Sequence, residues 1–439
     1  MIYHGDCLEW LRTLPECSVD ACVTDPPYGL GKPPPIREVL SAWLDGERYH
    51  ATGGGFMGRA WDAFVPGPAV WSELFRVMKP GAHAVVFAGS RTSDVMGVAL
   101  RLAGFEVRDS IGWTYYSGFP KSADISKHID RLHGAEREVV IGRGWHYGTN
   151  GAEGRTYGAR EEYKPGAAAV GRALLAPATP DAAKWAGYGT ALKPCIEPAW
   201  LVRKPLSESS IARNVLRWGT GAINVDACRF GYGDPIWIGP NEGATYRANV
   251  APSHFAGGAA DPVEPYTTGG HEGGRWPANL VYFPKASTAE REAGCDGLPA
   301  WSGADITERQ TGSDGLSNPR AGAGRTSSGR RNVHPTVKPI RLMRWLCRLV
   351  GGQPGSLVID PYTGSGTTGI AATLEGFEFR GSELNNSDGP PPQRFVDIAT
   401  ARIAYWREHG PDALDVYRDQ LAARKVREEL EKAGQVSLF

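Results

Sequence analysis

Ser356-Leu357-Val358-Ile359 runs directly into Asp360-Pro361-Tyr362-Thr363-Gly364-Ser365-Gly366-Thr367-Thr368-Gly369, and this junction decides the fold. A short apolar strand passes into a glycine-rich turn, and a helix is predicted over residues 367–375. The three glycines satisfy GxGxxG, a spacing that lets the backbone approach a nucleotide closely. Glu383 lies 19 residues beyond Gly364, at the end of the next predicted strand, where an acid can bind a ribose hydroxyl.

This junction by itself fits two enzyme classes equally well, a nicotinamide-dependent oxidoreductase and a methyltransferase. Its purely structural explanation is a tight turn that packs a helix on a strand. A nucleotide-hydrolysing P-loop is excluded, because no Gly-Lys-Ser/Thr follows the glycines. A second motif is therefore needed to choose between the two enzyme classes.

Strand and helix patterns alternate on both sides of the junction. The predicted strands are residues 19–24, 82–88, 107–116, 198–202, 356–359 and 379–383. The predicted helices are residues 71–78, 95–103, 340–350, 367–375 and 411–433. This alternation predicts an α/β fold with a mostly parallel sheet, interrupted by irregular segments rich in glycine and proline at 135–190 and 230–332.

Asp25-Pro26-Pro27-Tyr28, directly after the first long strand, separates the two enzyme classes. An exocyclic base amine is a poor nucleophile because its lone pair is delocalised into the ring. A carboxylate and a backbone carbonyl that both accept from the amine return electron density to its nitrogen. The prolines fix this backbone segment and remove competing N–H groups. The aromatic ring can stack on a flipped base, which contributes roughly 1–3 kcal/mol against a flipping cost of a few kcal/mol. The structural alternative is a turn with a packing tyrosine.

The order of motifs resembles the site-specific DNA amino-methyltransferases of the permuted, or beta-class, type. The catalytic motif at 25–28 comes first, then an irregular region at 206–332, then His334-Pro335-Thr336-Val337-Lys338-Pro339, then the cofactor motif at 360–369. The resemblance implies a circularly permuted, Rossmann-like sheet of seven mostly parallel strands. It divides the chain into a catalytic half (1–205, with the insertion 135–190), a target-recognition region (206–332), a cofactor-binding half (333–407) and a helical tail (408–439).

The resemblance also implies roles for individual residues, with S-adenosylmethionine as the cofactor and no metal. Asp25 and the Pro26 carbonyl would hold the target amine, Pro27 would stiffen the segment, and Tyr28 would stack on the base. Asp6 would contact the cofactor adenine and Glu383 its ribose. The remaining expected cofactor contacts are Cys7, Asp25, His334, Thr336, Lys338, Asp360, Tyr362, Gly364, Ser365, Gly366, Thr367 and Thr368.

The target base is only partly readable from the sequence. The Asp-Pro-Pro-Tyr form resembles adenine-N6 enzymes, whereas cytosine-N4 enzymes more often carry serine at its first position, so adenine is the favoured target and cytosine-N4 the alternative. A carbon-5 cytosine mechanism through Pro194-Cys195 would need a Glu-Asn-Val partner, and the nearest string is Ile223-Asn224-Val225. We expect Cys195 to be a buried thiol. A catalytically silent protein that binds DNA or a clamp is a further alternative, which an intact Asp25 and Tyr28 disfavour.

Composition places any nucleic-acid surface in a local region. Lys+Arg and Asp+Glu both number 48 in 439 residues, so net charge identifies no partner. Eight basic residues and no acid lie between Leu316 and Arg348, a tract suited to duplex DNA phosphates. The DNA contacts predicted are Arg275, Arg325, Arg330 and Arg331.

The chain ends in Gln435-Val436-Ser437-Leu438-Phe439, which resembles the peptide by which bacterial proteins dock on the sliding clamp. Gln435, Leu438 and Phe439 are the predicted contacts with that partner. A homodimer is expected by family analogy alone. The scattered cysteines and the absence of a signal peptide or long apolar stretch predict a soluble cytoplasmic protein without membrane contact.

Overall fold

The computed structural model describes most of the chain, including every strand and helix that carries a predicted motif. The described residues are 1–51, 55, 60–118, 122–140, 174–231, 234, 273–302, 329–384 and 394–432. The predicted DNA contact Arg325 and the predicted clamp contacts Gln435, Leu438 and Phe439 lie outside these ranges.

Eight strands form one sheet. They are β1 (Ile2–His4), β2 (Val19–Thr24), β3 (Met78–Phe87), β4 (Glu106–Thr114), β7 (Ile196–Arg203), β8 (Leu280–Tyr282), β9 (Leu357–Asp360) and β10 (Glu378–Glu383). Their order is β1-β10-β9-β2-β3-β7-β4-β8, and β7 alone of these eight is antiparallel to its neighbours. The mostly parallel α/β sheet is thus confirmed. It has one strand more than the seven expected, because β8 pairs with β4 at the edge.

The two sequence-distant halves of the sheet meet between β2 and β9. Ala21 pairs with Val358 and Cys22 with Ile359, in parallel register. The prediction that these two strands are neighbours is confirmed. Their carboxyl ends, which carry the two principal motifs, therefore lie side by side at one edge of the sheet. Ligands bind at this kind of switch point in open α/β sheets.

Alternate side chains of the central strands pack on opposite faces of the sheet. In β3, Val85 and Phe87 belong to one buried cluster, and Ala84 and Val86 belong to another. All six residues of β2 are buried. This continuous burial is the pattern of a parallel strand covered by helices on both sides.

Helices from the two halves of the sequence cover different faces of the sheet. One cluster includes α1 (Cys7–Thr13), α2 (Ile36–Leu44), α3 (Pro68–Val77) and α4 (Ser93–Leu102). The other includes α9 (Ile340–Val350), α10 (Thr367–Leu374), α11 (Phe395–His409) and α12 (Ala413–Lys432). The shorter helices α7 (Ile211–Trp218) and α8 (Thr288–Glu292), with 3-10 turns at Ala60–Asp62, Asp226–Cys228 and Gly410–Asp412, complete this unit.

Residues Ser117–Cys195 form a second compact unit, distinct from Met1–Tyr116 and Ile196–Phe439. It contains α5 (Ile125–Leu132), α6 (Pro180–Lys184) and the two-stranded pair β5 (Val139–Val140) and β6 (Leu174–Leu175). Asp130 joins its parts, because this buried carboxylate accepts from the Ala178 and Thr179 backbones and pairs with Arg137 at 2.6 Å. Across the described ranges of both units, no helix combines the length and apolar character that crossing a membrane requires.

Asn214 is the polar group that fastens α7 to the beginning of β3. Its amide nitrogen donates to the carbonyls of Pro80 and Thr220, at 2.9 and 2.8 Å, and its side chain is fully buried. Its amide oxygen accepts from the Ser207 N–H at 3.1 Å. Three backbone groups therefore depend on this single side chain.

We expect Asn214→Ala to lower the free energy of unfolding by about 2–4 kcal/mol, because buried backbone groups lose their partners. Urea unfolding followed by circular dichroism measures this change. Asn224→Ala is the matched control: this exposed side chain accepts from the Ala227 N–H, and its loss costs about 1 kcal/mol or less. Equal stabilities of the two variants would contradict the role given to Asn214.

Candidate active site

The segment Asp25–Tyr28 lies at the carboxyl edge of the sheet, directly after β2, and its backbone continuation is held by a buried acid. Asp62 accepts from the backbone N–H groups of Tyr28, Gly29 and Leu30, at 2.7, 3.0 and 3.1 Å. The Thr92 hydroxyl donates to the Tyr28 carbonyl at 2.6 Å. These contacts fix the motif from outside, where its two prolines cannot contribute N–H groups.

The two carboxylate oxygens of Asp25 have different surroundings. Oδ2 accepts from the Lys338 ammonium at 2.5 Å. Oδ1 is buried and has no hydrogen-bond partner among the residues that the structure describes. A buried carboxylate oxygen without a partner is costly, and such atoms mark functional sites. Burial raises the pKa of Asp25, although the charge of Lys338 opposes the shift.

Lys338 joins Asp25 to the ring of the same motif and to a second acid. Its ammonium donates to the Tyr28 hydroxyl at 3.1 Å and lies 3.3 Å from Glu197 Oε2. Burial alone would lower the pKa of Lys338, but the charges of Asp25 and Glu197 raise it above its ordinary value. The lysine is therefore a fixed cation, and it lies 4.9 Å from the centre of the Phe87 ring.

Two acids of this site, Glu197 and Asp62, were not predicted from the sequence. Glu197 carries a weak signal, because it is a charge between Ile196 and Pro198 at the start of an otherwise apolar strand. Its Oε2 accepts from the Tyr28 hydroxyl at 3.2 Å. Asp62 lies next to no recognisable motif, and its role depends wholly on a contact made after folding.

The glycine-rich junction follows β9 as predicted, and Asp360 ties it to the other half of the sheet. This buried carboxylate accepts from the Thr24 hydroxyl at 2.6 Å, the Thr368 hydroxyl at 2.6 Å and the Tyr362 N–H at 3.0 Å. Burial raises the pKa of Asp360 to about 6, against these hydrogen bonds. Asp360 thus places the end of β2 and the beginning of α10 together.

Two glycines of this loop are required by backbone conformation and close packing. Gly364 and Gly366 have φ values of +54° and +81°, in the left-handed region. A Cβ at Gly366 would lie 2.9 Å from the Ala399 backbone, and one at Gly364 would lie 2.9 Å from the His334 ring. The loop therefore follows a path that side chains at these positions would block.

A buried arginine supports the same loop from α11. Arg402 donates to the Ser365 carbonyl at 2.5 Å and to the Ser365 hydroxyl at 3.0 Å. It also lies 3.4 Å from the Thr367 hydroxyl and donates to the Glu290 carbonyl at 3.1 Å. Sequence analysis did not single out this residue, which stands in an ordinary amphipathic helix. Its bonds give Ser365 and Thr367 fixed positions.

The acids expected to contact a nucleoside lie at the ends of neighbouring strands. Glu383 ends β10 and accepts from the Gly364 N–H at 2.6 Å. Asp6 follows β1, which pairs with β10, and it caps α1 by accepting from the Leu8 and Glu9 N–H groups. Cys7 lies near Tyr362, and burial raises the pKa of its thiol to about 12.

The segment 334–338 lies between the loop and the amine site. The His334 ring packs against Phe395 with 4.7 Å between ring centres, and burial and the charge of Arg291 lower its pKa to about 3. His334 is therefore neutral at physiological pH. Thr336 is exposed, and Lys338 reaches Asp25.

The predicted DNA contacts are only partly available to solvent. Arg275 forms a backbone bridge with Phe230, and Arg330 forms one with Trp301. The Arg331 N–H donates to Glu292. Of the basic tract, Arg344 and Arg348 pair with Glu375 at 2.5 and 3.3 Å, so the tract is partly neutralised across the fold. Exposed Trp276, 5.0 Å from the Arg229 guanidinium, lies beside Arg275.

One sequence expectation about this region was wrong. Cys195 is exposed and not buried, because it lies before the first residue of β7, where the strand has not yet entered the sheet. Within the described ranges, no cluster of His, Cys, Asp and Glu side chains could hold a metal ion.

Comparison with known proteins identifies the family. Residues 19–135 and 276–388 match the family model N6_N4_Mtase, described as DNA methylase. These two stretches amount to more than half of the chain and contain both the Asp25–Tyr28 motif and the glycine-rich loop. The chain belongs to the N6/N4 DNA methylase family.

Individual relatives match over shorter stretches. The DNA adenine methyltransferase YhdJ of Escherichia coli is 39% identical over 67 residues, which are 15% of this chain and 22% of that protein. The type II methyltransferase M.SmaI of Serratia marcescens is 40% identical over 70 residues, which are 16% of this chain and 21% of that protein. The chain therefore spans about a fifth of the length of each relative.

Solved structures give a wider but weaker match. The DNA modification methylase TTHA0409 of Thermus thermophilus, solved in complex with S-adenosyl-L-methionine, is 18% identical. The match covers 92% of this chain and 95% of that one, with a TM-score of 0.36. At this score the likeness supports no conclusion about this chain.

Glu383 gives the stability of the protein a definite pH dependence. Burial raises its pKa from an ordinary 4.5 to about 8, and the Gly364 N–H only partly opposes this shift. The folded state therefore binds a proton that the unfolded state has lost, and the stability due to Glu383 falls as the pH rises from 4.5 to 8. Relative to wild type, Glu383→Gln should gain about 2–4 kcal/mol between pH 5 and pH 9.

Urea unfolding of both proteins at the two pH values measures this difference. Glu378→Gln, an exposed change on the same strand, serves as the control and should follow the wild type at both values. A Glu383→Gln difference that stays constant with pH would show that this carboxyl titrates normally.

Proposed function

We propose that this chain transfers a methyl group from S-adenosylmethionine to an exocyclic base amine in duplex DNA. The observation that carries the proposal is the buried Oδ1 of Asp25, which lacks a partner among the described residues and lies at the sheet edge where β2 and β9 end side by side. An amine donor would satisfy this acceptor. Family membership supports the same class of reaction.

The residues around Asp25 would perform the amine chemistry. Asp25 Oδ1 and the Pro26 carbonyl would accept from the two amine hydrogens and return electron density to the nitrogen. The nitrogen becomes positive as its bond to the methyl carbon forms, and it loses a proton afterwards. Carboxylate charge fixed at this place stabilises that developing positive charge. The Tyr28 ring, held through its hydroxyl, would stack on the flipped base.

The glycine-rich loop would hold the cofactor. The loop passes close to its neighbours at Gly364 and Gly366, and the Glu383 carboxylate stands at the next strand end for a ribose hydroxyl. Asp6, at the end of the strand beyond, would face the adenine. When bound, the cofactor supplies an electrophilic methyl group, and alignment of that methyl with the amine is the main requirement.

Adenine N6 is the target that we propose, with cytosine N4 as the alternative. Support comes from the carboxylate at the first motif position and from the printed activity of the relative YhdJ, a DNA adenine methyltransferase. Incubating the chain with labelled S-adenosylmethionine and unmethylated genomic DNA tests both possibilities. Nucleoside analysis distinguishes N6-methyladenine from N4-methylcytosine, and modification-sensitive sequencing gives the recognition sequence.

Asp25→Ala should slow methyl transfer by about 100- to 1,000-fold, because the amine loses a preorganised acceptor. Cofactor affinity, measured by calorimetry, should change little because the glycine-rich loop is intact. Asp94→Ala, an exposed acid in the first turn of α4, is the control and should keep wild-type activity. Full activity of Asp25→Ala would contradict the proposed chemistry.

We also propose that the C-terminal peptide binds the sliding clamp. The support is the sequence pattern alone, a glutamine at 435 followed by the Leu438-Phe439 pair. Deletion of residues 435–439 should abolish co-elution with purified clamp and leave methylation of short duplexes unchanged. Failure of the full chain to co-elute would refute this partner.

A further inference from the structure

Glu197 reaches the amine site because β7 runs against its neighbours. The parallel strands bring their carboxyl ends to the active edge, whereas β7 brings its beginning there. Glu197 pairs with Trp113 of β4, and two residues later Ala199 pairs with Phe87 of β3. The carboxylate thus stands opposite the end of β3, one strand away from Asp25.

The contacts of Glu197 are with groups of the proposed amine site and with a cation behind it. Oε2 accepts from the Tyr28 hydroxyl at 3.2 Å and lies 3.3 Å from the Lys338 ammonium. Oε1 lies 3.9 Å from the Lys285 ammonium, which itself lies 3.9 Å from the centre of the Tyr115 ring. The side chain is 18% exposed, so its charge is mostly removed from water. Such a charge destabilises the fold unless it is compensated.

We propose that Glu197 is a positioning residue for methyl transfer, which holds Lys338 and the Tyr28 ring so that Asp25 Oδ1 faces the target amine. This inference rests on the proposed function. Lys338 has three N–H donors, and Asp25, Tyr28 and Glu197 account for all three. Without Glu197, the ammonium can shift toward Asp25 and engage both of its oxygens. The acceptor intended for the amine would then be occupied.

The same arrangement gives the site an excess of negative charge. Asp25 and Glu197 share the buried ammonium of Lys338, and Lys285 is more exposed and lies nearest the outer oxygen of Glu197. The excess lies where the amine nitrogen becomes positive. Glu197 therefore contributes to the reaction through its charge as well as through the geometry that it imposes.

A readout that packing alone would not move is the acid limb of the pH–rate profile. The ionisable groups that face Asp25 are Lys338 from the segment before α9, Glu197 from β7, Tyr28 from its own segment and Asp360 from β9. The charge of Glu197 raises the pKa of Asp25. Removing that charge should therefore let Asp25 ionise at lower pH and move the acid limb to lower pH.

The experiment measures single-turnover methyl transfer by the full chain at saturating DNA and cofactor, across pH, for the wild type and three variants. Glu197→Gln should be slower by about 10- to 100-fold at the pH optimum, with its acid limb at lower pH. Glu197→Asp restores the charge and should return the limb to the wild-type position with part of the rate. Glu106→Gln removes a carboxylate that pairs with Arg203 at 2.6 Å between β4 and β7, and it should keep the wild-type rate and limb.

Thermal unfolding and cofactor affinity of each variant complete the test. The proposal requires that Glu197→Gln keep wild-type cofactor affinity while losing rate. It is overturned if Glu197→Gln keeps the wild-type rate, or if rate, melting temperature and cofactor affinity fall together with no movement of the acid limb. A wild-type chain that transfers no methyl group contradicts the proposed function itself, whereas an active wild type with an unaffected Glu197→Gln contradicts only the role of Glu197.

Discussion

The carboxylate of Asp360 is the joint on which the two halves of this protein depend. It accepts from Thr24, 336 residues earlier in the chain, and from Thr368, at the beginning of the helix that follows the glycine-rich loop. One buried group therefore sets the distance between the end of β2 and the loop. A methyl donor on the loop and an amine beyond β2 can meet only if that distance is fixed. The circular order of the motifs matters little once this joint is made.

The second constraint is electrostatic. Asp25 and Glu197 are two largely buried acids, and they are held close together by the ammonium of Lys338. A fold selected only for stability has little reason to retain such a cluster, since replacing buried ion pairs by apolar residues is often neutral or stabilising. Asp25 keeps one oxygen without a partner among the described residues, so the cluster is organised around a group that a substrate must supply.

The strand order and the main motifs could be predicted because their signals are local. The apolar runs of β2 and β9 and the glycines between β9 and α10 each lie within about ten neighbouring residues. Glu197 and Asp62 could not be predicted, because they contact Tyr28 across 169 and 34 residues of sequence. Cys195 was misplaced because an apolar pattern predicts that a strand exists more reliably than it predicts where the strand enters the sheet.

The reversed direction of β7 connects these two constraints. A strand parallel to its neighbours would bring to the active edge only the residues that follow its apolar run. The reversed strand brings its first residues there, and with them an acid that precedes the run. That acid requires Lys338, which belongs to the segment entering the cofactor half of the sheet. The amine site is thus assembled from β2, β7 and the segment before α9, and the charge of each is compensated only when all three are folded together.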